Sequence, residues 1–229
     1  VSVMLTIPRR LWGSYGPRGA WRKRIACLAI LLAAALGPAA AAAAPRIVAI
    51  GDSLTAGYGL PQGEGFVPQL DAWLAAQGQP EAEVVNMGVS GDTTAGGRAR
   101  LEWALADGAD AVIIALGGND LLRGIEPAAS RANLDAMLSA LDARGLPVLL
   151  VGMQAPLNYG PDYKAEFDAI FHDLAATHGA ILHPFFLEGL VGQPGLLQDD
   201  GLHPNAAGVA RMVEAIGPRV LELIGRAAP

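Results

Sequence analysis

The sequence predicts an α/β fold, a three-layer α/β/α sandwich with a roughly five-stranded parallel sheet, flavodoxin-like in its layering. Three observations lead there. Short apolar runs recur through residues 45–229, and amphipathic stretches at helical spacing separate them. The runs are rich in Val, Ile and Leu, as strands covered on both faces are. Alternation of strand and helix then requires right-handed crossovers, which place helices on both sides of a parallel sheet.

The first strand is Ile47-Val48-Ala49-Ile50, which stops at Gly51-Asp52-Ser53. Asp and Ser there suit a helix N-cap. They equally place a serine at the carboxyl end of the first strand, where open α/β sheets bind ligands. Tyr58 to Gly65 reads as a Gly-rich loop. Phe66, Val67, Leu70, Trp73 and Leu74 form a helical face ended by Gly78. Val84-Val85-Asn86-Met87 is the second strand and leads into Gly88-Val89-Ser90-Gly91-Asp92-Thr93. A weaker helical segment runs from about Thr94 to Ala106. Ala111 to Leu116 is the clearest strand and ends in Gly117-Gly118-Asn119-Asp120.

Leu134, Met137, Leu138 and Leu141 mark a helix over Pro127 to Ala143. Pro147 to Val151 is the fourth strand, followed by a loop from Ala155 to Pro161. Phe167, Ile170, Phe171 and Leu174 face inward from the next helix. Ala180-Ile181-Leu182 opens a fifth strand toward Phe185, and a loop from Leu187 to Asp200 reaches Gly201-Leu202-His203-Pro204. The last helix runs from Asn205 to Ile224, with Val209, Met212, Val213, Ile216 and Val220 inward.

Residues 1–44 read differently. Six basic residues and no acid precede the short apolar core Ile25 to Leu36, and an Ala-rich stretch closes it. Positive, apolar and small-residue regions in that order describe a signal peptide, so residues 45–229 are expected to be a periplasmic or secreted domain. The core is short for a membrane span, and the domain is expected to make no stable membrane insertion. Arg9-Arg10 lies too far upstream of the core to argue for a twin-arginine route. Val1 fits a non-AUG start, and Met4 offers a second.

The domain carries ten basic and twenty-two acidic residues, a formal charge of −12. That balance disfavours nucleic acid as a partner. The single cysteine, Cys27, falls in the leader, which excludes thiol catalysis and cysteine-ligated zinc in the domain. No cluster has metal-ligand spacing, and no cofactor is expected. About 185 residues suffice for one domain with a sizeable core, read as a monomer.

Polar residues gather at three strand ends: Ser53, Gly91-Asp92 and Asn119-Asp120. Asp200 and His203 precede the final helix. Ester hydrolysis needs a hydroxyl, a base oriented by a carboxylate, and donors for the developing oxyanion. Each is present here, although Asn119 suits a turn and His203 suits a helix start equally well. Asp199 competes with Asp200 as the orienting acid. Asp92 and Asp120 suit bracing or capping, and Glu64 reads as a solvated loop charge. Among the other histidines, His172 and His178 are expected to face solvent and His183 to be structural.

Gly51-Asp52-Ser53-Leu54, Gly88-Val89-Ser90-Gly91-Asp92-Thr93, Gly117-Gly118-Asn119-Asp120 and Asp200-Gly201-Leu202-His203-Pro204-Asn205 resemble, in order, the four blocks of the SGNH (GDSL) hydrolase family. Within it, Asn158-Tyr159-Gly160 and Pro184-Phe185-Phe186 look most like the periplasmic acyl-CoA thioesterase/lysophospholipase and arylesterase branch. The resemblance implies that Ser53 is the nucleophile, His203 the base and Asp200 the triad acid. The oxyanion hole would comprise the Ser53 and Gly91 amides and the Asn119 side chain. A serine esterase or thioesterase acting on a small-molecule acyl ester or thioester is the leading expectation. The alternative is a carbohydrate O-deacetylase of the same family. A nucleotide- or flavin-binding module would need a phosphate-cradling Gly-x-Gly-x-x-Gly loop after strand one, and Gly51 to Gly57 lacks that spacing. A histidine base must be neutral, so turnover is expected to fall as pH drops through the usual histidine range, about 6–7.

Overall fold

The computed structural model describes residues 45–227, so the leader read over residues 1–44 lies outside the described residues. In chain order the elements are β1 (Arg46–Gly51), α1 (Ser53–Ala56), α2 (Phe66–Ala76), β2 (Glu83–Gly88), α3 (Thr94–Ala99), α4 (Leu101–Ala104), β3 (Ala111–Ala115), α5 (Gly118–Leu122), α6 (Pro127–Asp142), β4 (Val148–Val151), α7 (Pro161–His178), β5 (Ile181–His183) and α8 (Ala206–Ala227). Short 3₁₀ turns occupy Leu157–Tyr159 and Pro194–Leu196.

All the strand pairs are parallel, in the order β2-β1-β3-β4-β5. Register follows the apolar runs: Ile47 lies opposite Val84 on one side and Ala111 on the other. The chain leaves β1 in one direction to reach β2 and then crosses back to β3. This reversal opens a crevice above the carboxyl ends of β1 and β3, where such sheets bind ligands. The residues after those two strands are Asp52-Ser53 and Gly117 to Asp120.

Alternation along β1 divides the core. Ile47 and Ala49 pack with Phe66, Leu70, Met212 and Ile216 from α2 and α8. Val48 and Ile50 face the opposite layer, with Leu134, Leu138, Phe167 and Phe171 from α6 and α7. Burying one such side chain contributes about 1.5–3 kcal/mol, so both sheet faces have to be covered for the domain to stand. The helix termini follow local chemistry. Proline occupies the first turn of α6 and α7, where no intrahelical N–H is required. Gly179 closes α7 in the left-handed conformation at φ 62°.

The structure refines the sequence reading in three places. The segment expected as one weak helix from Thr94 breaks at Arg100 into α3 and α4, and Arg100 sits outside helical geometry at φ −107°, ψ 8°. Two very short helices bound the crevice: α1, whose start the N-cap reading of Asp52-Ser53 anticipated, and α5, which stands where a turn was expected. Their brevity hides them from any periodicity argument, because four or five residues do not complete two turns. The last helix begins one residue later than expected, and the Asn205 side chain accepts from the Gly208 amide at 3.0 Å as a cap.

The fit of α1 against the sheet sets the position of Ser53. Gly88 ends β2 directly beneath it: a Cβ there would lie 2.3 Å from the backbone nitrogen of Ala56. Only a residue without a side chain lets the helix settle onto the strand end.

Candidate active site

Ser53 is the first residue of α1, and Asp52 is its N-cap. The Asp52 carboxylate accepts from the Leu54 amide at 3.0 Å. The two readings of this stretch therefore coexist: Asp52 caps, and Ser53 is left at the head of the helix facing the crevice.

His203 comes from the loop before α8, and Asp200 builds that loop. One Asp200 oxygen accepts from the backbone amides of Leu202 and His203 at 2.9 and 3.0 Å. The other lies 2.7 Å from Nδ1 of His203. These interactions, the His203 side chain foremost and then the two amides, hold the Asp200 carboxyl down to about 2. An ionised carboxylate only accepts, so Nδ1 must carry the proton. The free lone pair is then on Nε2, which lies 2.9 Å from Ser53 Oγ. Two groups separated by 150 positions thus meet in hydrogen-bonding geometry, and Asp200 rather than Asp199 contacts the ring.

The loop is tied down from elsewhere. Leu197 and Pro204 form an isolated antiparallel bridge. The Gln198 amide nitrogen donates to the carbonyls of Tyr58 and Pro204 at 2.8 and 2.9 Å, joining the histidine loop to the segment after α1. The Tyr58 ring lies against the His203 ring, with centroids 4.7 Å apart and planes at 40°. Sequence reasoning missed both residues, because their partners are backbone carbonyls and a ring face that leave no motif.

The other wall carries Gly91 and Asn119. Val89 accepts from the Asp92 amide at 3.0 Å, closing a turn with Gly91 at φ 85°, the left-handed position that favours glycine. Arg123 donates to the Gly91 carbonyl at 2.7 Å. Asn119 lies in the first turn of α5 and donates from Nδ2 to the second Asp52 oxygen at 3.2 Å. Ser53, Gly91, Asn119 and His203 all line one pocket of about 590 Å³. Apolar side chains from the end of α5 and from the loops after β4 and β5, including Leu122, Met153, Pro156 and Leu187, make most of its remaining wall.

Asp92 and Asp120 brace the site instead of entering it. Asp92 pairs with Arg100, a largely buried cation that also donates to the carbonyls of Met87 and Gly51 at 2.7 and 2.9 Å. One guanidinium thus fixes the ends of β1 and β2 relative to the Gly91 turn. Buried Asp120 accepts from the Thr94 amide and hydroxyl at 2.9 and 2.6 Å and from Ser130 at 2.8 Å. Glu64 and His172 are exposed. His183 is buried, and burial lowers its pKa.

His178 corrects the sequence reading. It was expected to face solvent, but its side chain is only 9% exposed and sits between two carboxylates of α6, Asp135 and Asp142. A position at the very end of a helix suggested exposure, but packing of α7 on α6 covers it. Among the described residues, no group of three or more His, Cys, Asp and Glu is arranged to hold a metal ion.

The model of the GDSL-like Lipase/Acylhydrolase family matches residues 49–211. The chain is 44% identical over 184 residues to Esterase TesA of Pseudomonas aeruginosa, covering 80% of this chain and 91% of the relative. It is 39% identical over 167 residues to Thioesterase 1/protease 1/lysophospholipase L1 of Escherichia coli, covering 72% and 78%. Among solved structures it is similar to AlinE4, an SGNH-hydrolase family esterase. The identity there is 46%, the TM-score is 0.67, and the match covers 78% of this chain and 96% of that one.

Proposed function

Because the chain belongs to the GDSL-like lipase/acylhydrolase family, we propose that it hydrolyses carboxylic esters and thioesters through an acyl-enzyme on Ser53. The observation that carries this reading is the contact between Ser53 Oγ and Nε2 of His203, whose Nδ1 faces Asp200.

The roles follow from the chemistry of each group. Ser53 Oγ attacks the substrate carbonyl carbon as its proton passes to Nε2 of His203. Asp200 holds the ring in the required tautomer and stabilises the imidazolium. The tetrahedral oxyanion takes hydrogen bonds from the amides of Ser53 and Gly91 and from the Asn119 side chain. Collapse expels the alcohol or thiol, which leaves with the proton from His203. Water then attacks the acyl-enzyme, giving its proton to the same nitrogen, and His203 returns that proton to Ser53 Oγ as the carboxylic acid departs.

The apolar wall favours an acyl or aryl group larger than acetyl, which ranks this reading above the carbohydrate O-deacetylase. Among the described residues, no helix is long and apolar enough to cross a membrane. Residues 1–44 we assign as an export leader, which would make residues 45–229 a periplasmic or secreted monomer. The test is a panel of aryl esters, acyl-CoAs and lysophospholipids against the protein and its Ser53→Ala variant. Turnover of medium-chain esters that disappears in Ser53→Ala is expected. Unchanged turnover in that variant would refute the reading, and hydrolysis confined to acetyl esters would favour the deacetylase.

A further inference from the structure

Asp52 does more than cap a helix. Its carboxylate is 3% exposed and holds two partners, the Leu54 amide on one oxygen and the Asn119 side chain on the other. We propose that Asp52 is a positioning residue for the oxyanion hole, fixing the Asn119 amide so that its NH₂ group and not its oxygen faces the reacting carbonyl. The proposal rests on the esterase reading above and adds a residue to it.

A carboxamide is ambiguous in orientation. Its two ends have nearly the same shape and opposite hydrogen-bonding character, so neighbours decide which way it faces. A flipped Asn119 would point a lone pair at the oxyanion and turn a donor into a repulsion. A carboxylate can only accept. Bound to Nδ2, it takes one of the two N–H groups and leaves the second for the pocket that Asn119 lines.

The same contact is sensitive to pH. Burial raises the Asp52 carboxyl to about 6, against the hydrogen bonds from Leu54 and Asn119 and the charge of His203, which pull it down. Of the elements around it, α1 contributes the Leu54 amide, α5 the Asn119 amide, and the loop before α8 the titratable His203. Arg100, bound to the Gly51 carbonyl next in the chain, is committed to Asp92. Once protonated, Asp52 can donate, and an amide free to turn its oxygen toward that donor is no longer fixed. A carboxyl raised on folding costs stability above its folded pKa, and the cost fades as pH falls through about 6.

Asp52→Asn separates positioning from capping. Asparagine still caps the Leu54 amide, but it can donate as well as accept. The variant should therefore melt at a temperature no lower than the parent at pH 7, and higher if the relieved charge dominates. Its kcat on a p-nitrophenyl ester should fall roughly ten- to a hundred-fold with KM nearly unchanged, part of what losing a whole oxyanion donor costs. In an Asn119→Ala background the same substitution should change kcat by less than twofold, since there is no amide left to orient. An equal loss in both backgrounds, or no loss in either, overturns the proposal. Should Asp52→Asn fail to fold, the acid limbs decide. The parent should lose turnover with a slope approaching two below pH 6, and Asn119→Ala with a slope of one. Equal slopes refute the idea. Full activity in Asn119→Ala would instead sink the esterase reading itself.

Discussion

Two histidines of this chain sit in opposite kinds of company. His203, at the carboxyl rim of the sheet, has a carboxylate on Nδ1 and the Ser53 hydroxyl on Nε2. His178, at the end of α7, has a carboxylate on each nitrogen, Asp142 at Nδ1 and Asp135 at Nε2. A hydroxyl can donate to a bare nitrogen, so His203 satisfies both its atoms while neutral and is free to take a proton. Two ionised carboxylates can only accept, so His178 satisfies both contacts only as the imidazolium. Burial alone would lower the pKa of His178; the hydrogen bonds and charges of Asp142 and Asp135 outweigh it and raise the value. The last turn of α7 also favours a cation. Under the proposed mechanism one ring serves as a base, while the other clamps α6 to α7, and the partner on a single nitrogen makes the difference.

Substitution can separate the two roles. The largest effect is expected for His203→Ala, which should lower kcat by about 10⁴-fold or more while leaving the melting temperature nearly unchanged. Steady-state kinetics beside a thermal melt would show the split. Asp200→Asn should come next, at roughly 10³–10⁴-fold, because the ring loses its tautomer and the carboxylate that stabilises its charge. Asn119→Ala tests the opposite wall and should cost about 10²–10³ in kcat.

His178→Ala should reverse the pattern, with kcat within twofold of the parent and stability lower by about 1–2 kcal/mol, a few degrees of melting temperature. The sign of its pH dependence is fixed by the raised pKa. The clamp contributes fully below the unfolded histidine value of about 6.5 and is lost as pH rises through the higher folded value. The gap in melting temperature between parent and variant should therefore be widest in mild acid and narrow toward alkaline pH. A gap that widens with pH would mean that the ring is held neutral. Asp135→Asn should have the smallest effect, a few tenths to 1 kcal/mol, because that carboxylate is half exposed.

Much of this protein was legible in its sequence, for identifiable reasons. The strand at Ala111 to Ala115 declares itself because both its faces are buried and every residue is apolar. The amphipathic stripe of α8 repeats over enough turns to be unmistakable. Ser53, Gly91, Asn119, Asp200 and His203 stood out because each lies in a short block with a turn chemistry of its own. Spacing left Asp199 and Asp200 both open as partners of His203; the family resemblance pointed to Asp200, and Asp200 is the one that contacts the ring. The clamp around His178 was not legible. Asp135 and Asp142 share a face of α6 at a seven-residue interval, but nothing in that interval says which helix will cover them.

By itself the sequence determined the alternation of buried strands and amphipathic helices, and the chemical identity of each strand end, because periodicity and turn residues are local properties. The tertiary structure alone decided that position 53 faces position 203, that the Asp52 carboxylate reaches Asn119, and that Arg100 gathers the ends of β1 and β2. Those contacts depend on crossovers that carry distant segments to one rim, and on hydrogen bonds to backbone carbonyls, which every residue possesses and which therefore leave no mark in a sequence.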